Sequence, residues 1–339
     1  MQIKSGCHYA LLAAVLMSCS PPQDGVGRIQ FIPHATADKV DVMVDGALFT
    51  SYMYGDTLGM LTKPVLYPLM TVGGKRITRA YPLEKRPGER LDHPHQVGFW
   101  LSYGDVNGID FWNHSGATPA AQQATRGRIR HTHIKSMSAA DSIGMLEVSM
   151  NWEDADSLVL LQEDTRFRFT AHGPHRLIER RTTLTAMVDE VHFQDNKEGF
   201  VAVRVASTLE HASNQTPPND DVNAADGIYT SSTGINGTAV WGTRASWVML
   251  NGTIADEPIT LVLFDHPENI GTPTYWHARG YGLFAANPLG QNIFSQGKEK
   301  LNLRLHRGES ATFIFHVLVF SGTMQASDVA EYAELLRQP

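Results

Sequence analysis

Segment after segment of this chain alternates apolar and polar residues with a period of two, a rhythm that fits a half-buried β-strand rather than a helix. Residues 40–44 (Val-Asp-Val-Met-Val) and 47–53 flank Asp45-Gly46, a pair that favours a two-residue hairpin turn. The same alternation runs through residues 127–137, 145–152, 165–170 and 177–187, and predicts further strands at 200–206, 259–264, 301–305 and 312–320. One helix is expected near the C-terminus, where Val329, Tyr332, Ala333 and Leu336 form a stripe after Asp328 and Glu331 is placed for a capping box. Residues 211–237 read as a polar loop. The implied fold class is all-β: a large antiparallel two-sheet β-sandwich with a short C-terminal helix, built as one domain over residues 28–339.

The first residues read differently. Lys4 precedes the apolar run 9–17, which is too short for a permanent membrane span of about 20 residues. It ends at Leu16-Met-Ser-Cys19, the pattern of a bacterial lipobox. Residues 1–19 are therefore expected to be a lipoprotein signal peptide with Cys19 as the lipidated residue, and 20–27 a tether. The implied location is the bacterial cell envelope, held by lipid alone. The only other cysteine is Cys7, so the mature chain would carry no thiol, which excludes cysteine nucleophiles, disulfides and thiolate metal sites. A net charge of −7 argues against a nucleic-acid partner.

Chemistry concentrates in two segments. The first is Leu91-Asp-His-Pro-His-Gln-Val-Gly-Phe-Trp100, followed by Gly104-Asp-Val-Asn-Gly-Ile-Asp-Phe-Trp112. If extended, His93 and His95 would share one side of a strand, with Pro94 confining them to a strand end or edge. Such a pair can act as acid and base, or hold a divalent metal, an expectation left open beside that of two histidines bonded for structure alone. Trp100 and Trp112 beside Asp105, Asn107 and Asp110 are the side chains that stack on sugar rings and bond hydroxyls. The second segment carries Tyr275, Trp276, His277 and Arg279, and an arginine fork suits a carboxylate. Glu198 and Arg204 supply a further carboxylate and cation. There is no Gly-x-Ser-x-Gly elbow, phosphate-binding Gly-Lys-Ser/Thr loop or His-Glu-x-x-His helix.

Asp92-His-Pro-His95, Gly104 to Trp112, Lys197-Glu-Gly199 with Arg204, Trp241-Gly242 with Trp247, Asp265-His-Pro267 with Asn269, and Tyr275 to Pro288 together resemble a bacterial family often called the "methane oxygenase PmoA" family. The resemblance runs from about residue 58 to 321. Its first motif usually reads Asp-His-Pro-His-His-Arg-Gly, so Gln96 and Val97 here replace a histidine and an arginine, and Gly280 replaces an aspartate. Membrane methane monooxygenase subunits need long apolar spans that the mature chain lacks, so the family's name does not carry over as an activity. The resemblance implies a secreted protein of polysaccharide-degrading bacteria. The strand-rich pattern is similar, at the level of fold, to the supersandwich of galactose mutarotases and polysaccharide lyases.

The expected function is an envelope-anchored enzyme acting on oligosaccharides, uronate-containing ones included, by lyase, hydrolase or epimerase chemistry. His93, His95, His277, Glu198 and Asp110 would be catalytic. Arg204, Arg279, Asp105, Asn107, Trp100, Trp112, Tyr275 and Trp276 would bind substrate. A non-catalytic glycan-binding lipoprotein is the alternative, and a histidine-metal redox enzyme the third reading.

Overall fold

The computed structural model describes residues 25, 27–55, 59–214 and 225–337. In chain order the first strands are β1 (Ile29–His34), β2 (Lys39–Val44), β3 (Ala47–Met53), β4 (Val65–Leu66), β5 (Phe99–Tyr103) and β6 (Arg128–Ala140). Then come β7 (Ile143–Glu153), β8 (Val159–His172), β9 (His175–Ala186), β10 (Glu190–His192), β11 (Gly199–Arg204) and β12 (Ile228–Ser231). The last are β13 (Trp247–Ile254), β14 (Glu257–Asp265), β15 (Tyr275–Ala278), β16 (Leu283–Asn287), β17 (Arg304–His306) and β18 (Ser310–Ser321).

Two eight-stranded antiparallel sheets result. The first runs β1-β2-β3-β4-β5-β11-β16-β15 and the second β12-β13-β14-β18-β9-β8-β7-β6, with β10 and β17 pairing separately. Alternation explains the second sheet directly: along β8 and β9 every other residue is buried. Inward side chains of both sheets, among them Val42, Phe99, Leu101, Val203, Phe167, Phe169, Ile178 and Phe315, meet in one apolar core. The β2–β3 hairpin turns through Asp45 and Gly46, both at positive φ (52° and 80°). That conformation is what a tight two-residue turn demands, and it is why Asp-Gly occupies it.

Three expectations need correction. The supposed strand over 301–305 begins only at Arg304. The stretch 211–237 is not all loop, since Ile228–Ser231 is an edge strand. The C-terminal helix (Ala326–Leu336) is capped by Asp328, not Glu331: the Gln325 N–H donates to the Asp328 carboxylate at 2.8 Å. This helix lies on the outer side of the second sheet, where Val329 and Ala333 cover Trp247, Met249, Val262 and Phe264. Among the described residues no helix is long and apolar enough to cross a membrane. The signal segment and Cys19 lie outside the described residues.

Candidate functional site

The outer face of the first sheet, turned away from the sandwich core, gathers the residues of interest. Register places His277 (β15), Ala285 (β16), Ala202 (β11) and Trp100 (β5) in one cross-strand row. Their neighbours Trp276, Ala286, Val201 and Leu101 point into the core, so the row itself points outward. His277 and Trp100 are three strands apart, about 14 Å at ordinary strand spacing. Two residues further along β11, Arg204 emerges on the same face.

The histidine pair is not on a strand. His93, Pro94, His95 and Gln96 form a β-turn leading into β5, closed by the Gln96 N–H donating to the His93 carbonyl at 3.0 Å. His93 takes a positive φ of 45°, uncommon for a non-glycine residue and a local strain that its surroundings must hold. Two buried guanidinium groups do so. Arg79 donates to the Asp92 carboxylate and carbonyl (both 2.9 Å), to the His93 carbonyl (2.9 Å) and to the Gln96 carbonyl (3.2 Å). Arg204, fully buried, donates to Gln96 Oε1 at 2.5 Å and to the Asp92 carboxylate at 3.2 Å. Burial lowers the Arg79 pKa to about 10, and both guanidiniums remain cationic at neutral pH. Burial would raise the Asp92 pKa, but the adjacent His93 imidazole and the charges of Arg204 and Arg79 prevail and hold it far below the ordinary range.

Asp92 also serves the imidazole. Its Oδ2 lies 3.2 Å from His93 Nδ1, an ion-pair separation not aligned as a hydrogen bond. The His93 ring stacks on Tyr281 (centroids 5.2 Å, 5° between planes) and meets His95 edge-on at 5.6 Å. His95 is neutral: burial lowers its pKa well below the usual value, and the charges of Lys63, His93, Arg79 and Arg204 push it the same way. Its Nε2 is buried without a partner.

Tyr281 links this turn to the second segment. It sits in the Arg279-Gly280-Tyr281-Gly282 turn between β15 and β16, closed by the Gly282 N–H donating to the Arg279 carbonyl at 3.0 Å. The Arg204 guanidinium lies over its ring at 4.8 Å and that of Arg279 at 5.8 Å. Burial raises the Tyr281 pKa; Gln96, Arg204 and Arg279 oppose this, and Glu198 adds to it. His277 is buried with Nδ1 2.8 Å from the Lys197 carbonyl, which fixes the proton on Nδ1 and leaves the Nε2 lone pair as the basic atom. Burial lowers its pKa to about 4, against the upward pull of Glu198. Glu198 itself is ion-paired with Lys197 at 2.7 Å. His93, Arg204 and Arg279 thus meet at Tyr281, with His95 beside His93 and His277, on β15, two residues before Arg279.

Other expected site residues lie elsewhere or are enclosed. Trp100 and Trp112 are fully buried, 5.2 Å apart, in a small apolar cluster with Val65, Val97, Ala202, Leu283 and Ala285. Trp276 faces the main core and donates to the Ala245 carbonyl at 3.0 Å. These three indoles cannot offer a face to a sugar. Tyr275 is packed between Arg244 and Phe294. Asp110 is not a catalytic carboxylate: it accepts from the Trp112 and Asn113 N–H groups at 2.9 Å, from the Asn113 amide, and ion-pairs with Arg126. Asp105 and Asn107 shape the turn beyond the far end of β5, with Asp105 accepting from Gly108 and Asn107 bonded to Glu190 and His192. A metal at His93/His95 does not fit the donors present. Among the described residues no three His, Cys, Asp or Glu side chains converge, and Arg79, Arg204 and Lys63 surround the pair with positive charge.

Three side chains escaped the sequence reading. Lys63 is buried, donates to the Trp112 carbonyl at 3.2 Å, and has its pKa lowered by burial to about 7. Arg79 carried no motif. Trp241 is 38% exposed with the Arg279 guanidinium over its ring at 5.5 Å; only its place beside a glycine in the recognised pattern pointed to it. Gln96 is the acceptor for Arg204, Val97 fills the small cluster, and the Gly280 carbonyl accepts from the His211 N–H at 2.8 Å.

A comparison with characterised proteins finds no sequence match. Among solved structures, the chain is similar to the galactosidase domain of an alpha-galactosidase–sucrose kinase, AgaSK (TM-score 0.40, 8% identity, 86% of this chain and 42% of that one). It is also similar to a polysaccharide lyase (TM-score 0.32, 12% identity, 89% of this chain and 33% of that one). A galactose mutarotase related enzyme from Lactobacillus acidophilus matches at TM-score 0.32 and 10% identity, over 88% of this chain and 99% of that one. The chain therefore spans less than half the length of the first two, and at these scores the likeness says nothing of chemistry. A family model matches residues 39–334, and the chain belongs to that family, described as a family of unknown function (DUF6807).

Proposed function

We propose that the protein is an oligosaccharide-active enzyme working by histidine acid/base chemistry on the outer face of its first sheet, and that lipidation at Cys19 holds it to the cell envelope. The carrying observation is the His93–His95 turn. It is held in a strained conformation by Arg79 and Arg204, with Asp92 beside His93 Nδ1 and His93 stacked on Tyr281. A carboxylate beside His93 Nδ1 and a ring stacked on the imidazole fix its orientation, as a group that exchanges a proton with substrate requires. His277, neutral and close to Glu198, supplies a second group able to exchange a proton. Two such groups acting on one bound sugar would suffice for its elimination, hydrolysis or epimerisation.

The glycan-capture alternative loses the three tryptophans it would use, because all are enclosed. The test is a panel of neutral and acidic oligosaccharides assayed for new reducing ends, unsaturated products and epimers. Wild type should turn over at least one. His93→Asn, which tolerates the positive φ, should bind that chain and fail to convert it. Binding without conversion by wild type across the whole panel would instead establish capture. Anchoring is read separately: Cys19→Ser should move the protein from the membrane fraction to the soluble one.

A further inference from the structure

Most arginines around the site already have a carboxylate. Arg79 and Arg204 share Asp92, and Arg90 pairs with Glu210 at 3.0 Å. Arg279 differs. Its side chain is exposed, and among the described residues its guanidinium makes no hydrogen bond or ion pair. It is held by rings alone, that of Trp241 at 5.5 Å and that of Tyr281 at 5.8 Å. Both contacts are to rings, and the N–H fork of this guanidinium has no oxygen partner among the described residues. Such a fork matches the two oxygens of a carboxylate.

Trp241 is fixed as firmly as the arginine. The following Gly242 N–H donates to the Trp276 carbonyl at 2.8 Å, and the Trp276 N–H donates back to the Thr243 carbonyl at 3.0 Å, which ties this segment along the edge of β15. Phe294 meets the indole edge-on at 5.7 Å. The result is a partly exposed aromatic plate next to an unpaired cation, within one ring contact of Tyr281 and, through it, of His93.

Resting on the reading that this cleft binds oligosaccharides, we infer that Arg279 and Trp241 form a subsite for a carboxylate-bearing sugar residue, a uronate, with the carboxylate on the Arg279 fork and the pyranose ring against Trp241. The acid group would then lie beside Tyr281, the ring on which the His93 imidazole stacks. A guanidinium on that carboxylate also lowers the pKa of the carbon acid beside it, the requirement for removing a proton there.

The experiment is calorimetric titration of the full mature protein with oligouronates, the same chains after carboxyl reduction, and a sulfated neutral chain of equal length. Wild type should prefer the uronate chain over its reduced form by about 10- to 100-fold, the range expected for losing a charged bidentate contact. Arg279→Gln should abolish that preference, and Arg279→Lys should keep only part of it because it retains charge without the fork. Trp241→Ala should weaken the uronate and reduced chains alike. Equal binding of the uronate and reduced chains by wild type overturns this inference while leaving the oligosaccharide reading intact. Binding of none overturns both. Equal binding of sulfated and uronate chains, both lost in Arg279→Gln, overturns the assignment to carboxylate.

Discussion

Arg204 donates to Gln96 Oε1 at 2.5 Å, joining the end of β11 to the turn that carries both histidines. Gln96 thereby gives a buried cation a neutral acceptor. The same guanidinium reaches Asp92 at 3.2 Å and lies 3.9 Å from Glu210. Removing it leaves Gln96 Oε1 without its donor and takes one of two cations from Asp92 and from Glu210, which keep Arg79 and Arg90. Arg204→Leu is expected to lower unfolding free energy by about 3–5 kcal/mol, the usual penalty for breaking a buried charged network from one side. Urea titration measures it; a loss under 1 kcal/mol would mean the turn holds without this contact.

The tryptophans divide by role. Trp112→Ala should destabilise by about 3–5 kcal/mol through the cavity it leaves against Trp100. Trp241→Ala, at a partly exposed position, should remain within about 1 kcal/mol of wild type. Thermal melts of the two variants compare them directly, and similar losses would contradict the assignment of Trp241 to the surface.

His277 makes acid stability its reporter. Burial holds its folded pKa near 4, below the value of about 6.5 for a free imidazole. Its contribution is complete above the unfolded pKa. As pH falls from about 6.5 to 4 the unfolded chain takes up the proton first, so stability declines, by at most about 3 kcal/mol from this residue. The pH dependence of His277→Gln should be flatter than that of wild type across this window, and chemical denaturation at several pH values reads the difference. Parallel curves would refute the assignment.

Lys63 works in the alkaline range. Its folded pKa near 7 lies below the ordinary 10.5, so its contribution to stability is complete above that value and is lost as pH falls toward 7. Lys63→Met removes a buried cation that has only a neutral carbonyl for company. The variant should be more stable than wild type at pH 6 by about 2–4 kcal/mol, an advantage that shrinks by pH 10. Lower stability of the variant at pH 6 would show that the ammonium is favourably held.

The second sheet was legible because one of its faces is wet: β8 and β9 alternate cleanly, and their sequence shows it. The strands that carry the site were harder. β5, β15 and β16 are buried on both faces, the inner against the core and the outer beneath loops, so they read as continuous runs without alternation. Only β11 among the four was anticipated. The two site segments were recognisable from residue type, but residue type could not separate Trp100 from Trp241, since burial of an indole is decided by the loops above it. Nor could it place His93 and His95 in a turn, because Pro94 is as compatible with a turn as with a strand end. Lys63 and Arg79 gave no local signal; their importance arises from desolvation, which long-range packing alone creates.

The two alanines between His277 and Trp100 set how closely the overlying rings can approach the sheet. Ala285 and Ala202 lie side by side on neighbouring strands, and Trp100, Trp112 and Tyr281 pack into the same small cluster with them. A bulkier residue at either position would lift those rings, tilting the base on which the His93 imidazole rests. The tolerance of the His93 turn to mutation is therefore set by two methyl groups far from it in sequence, and a survey of substitutions at this pair would map how far its geometry depends on the packing beneath.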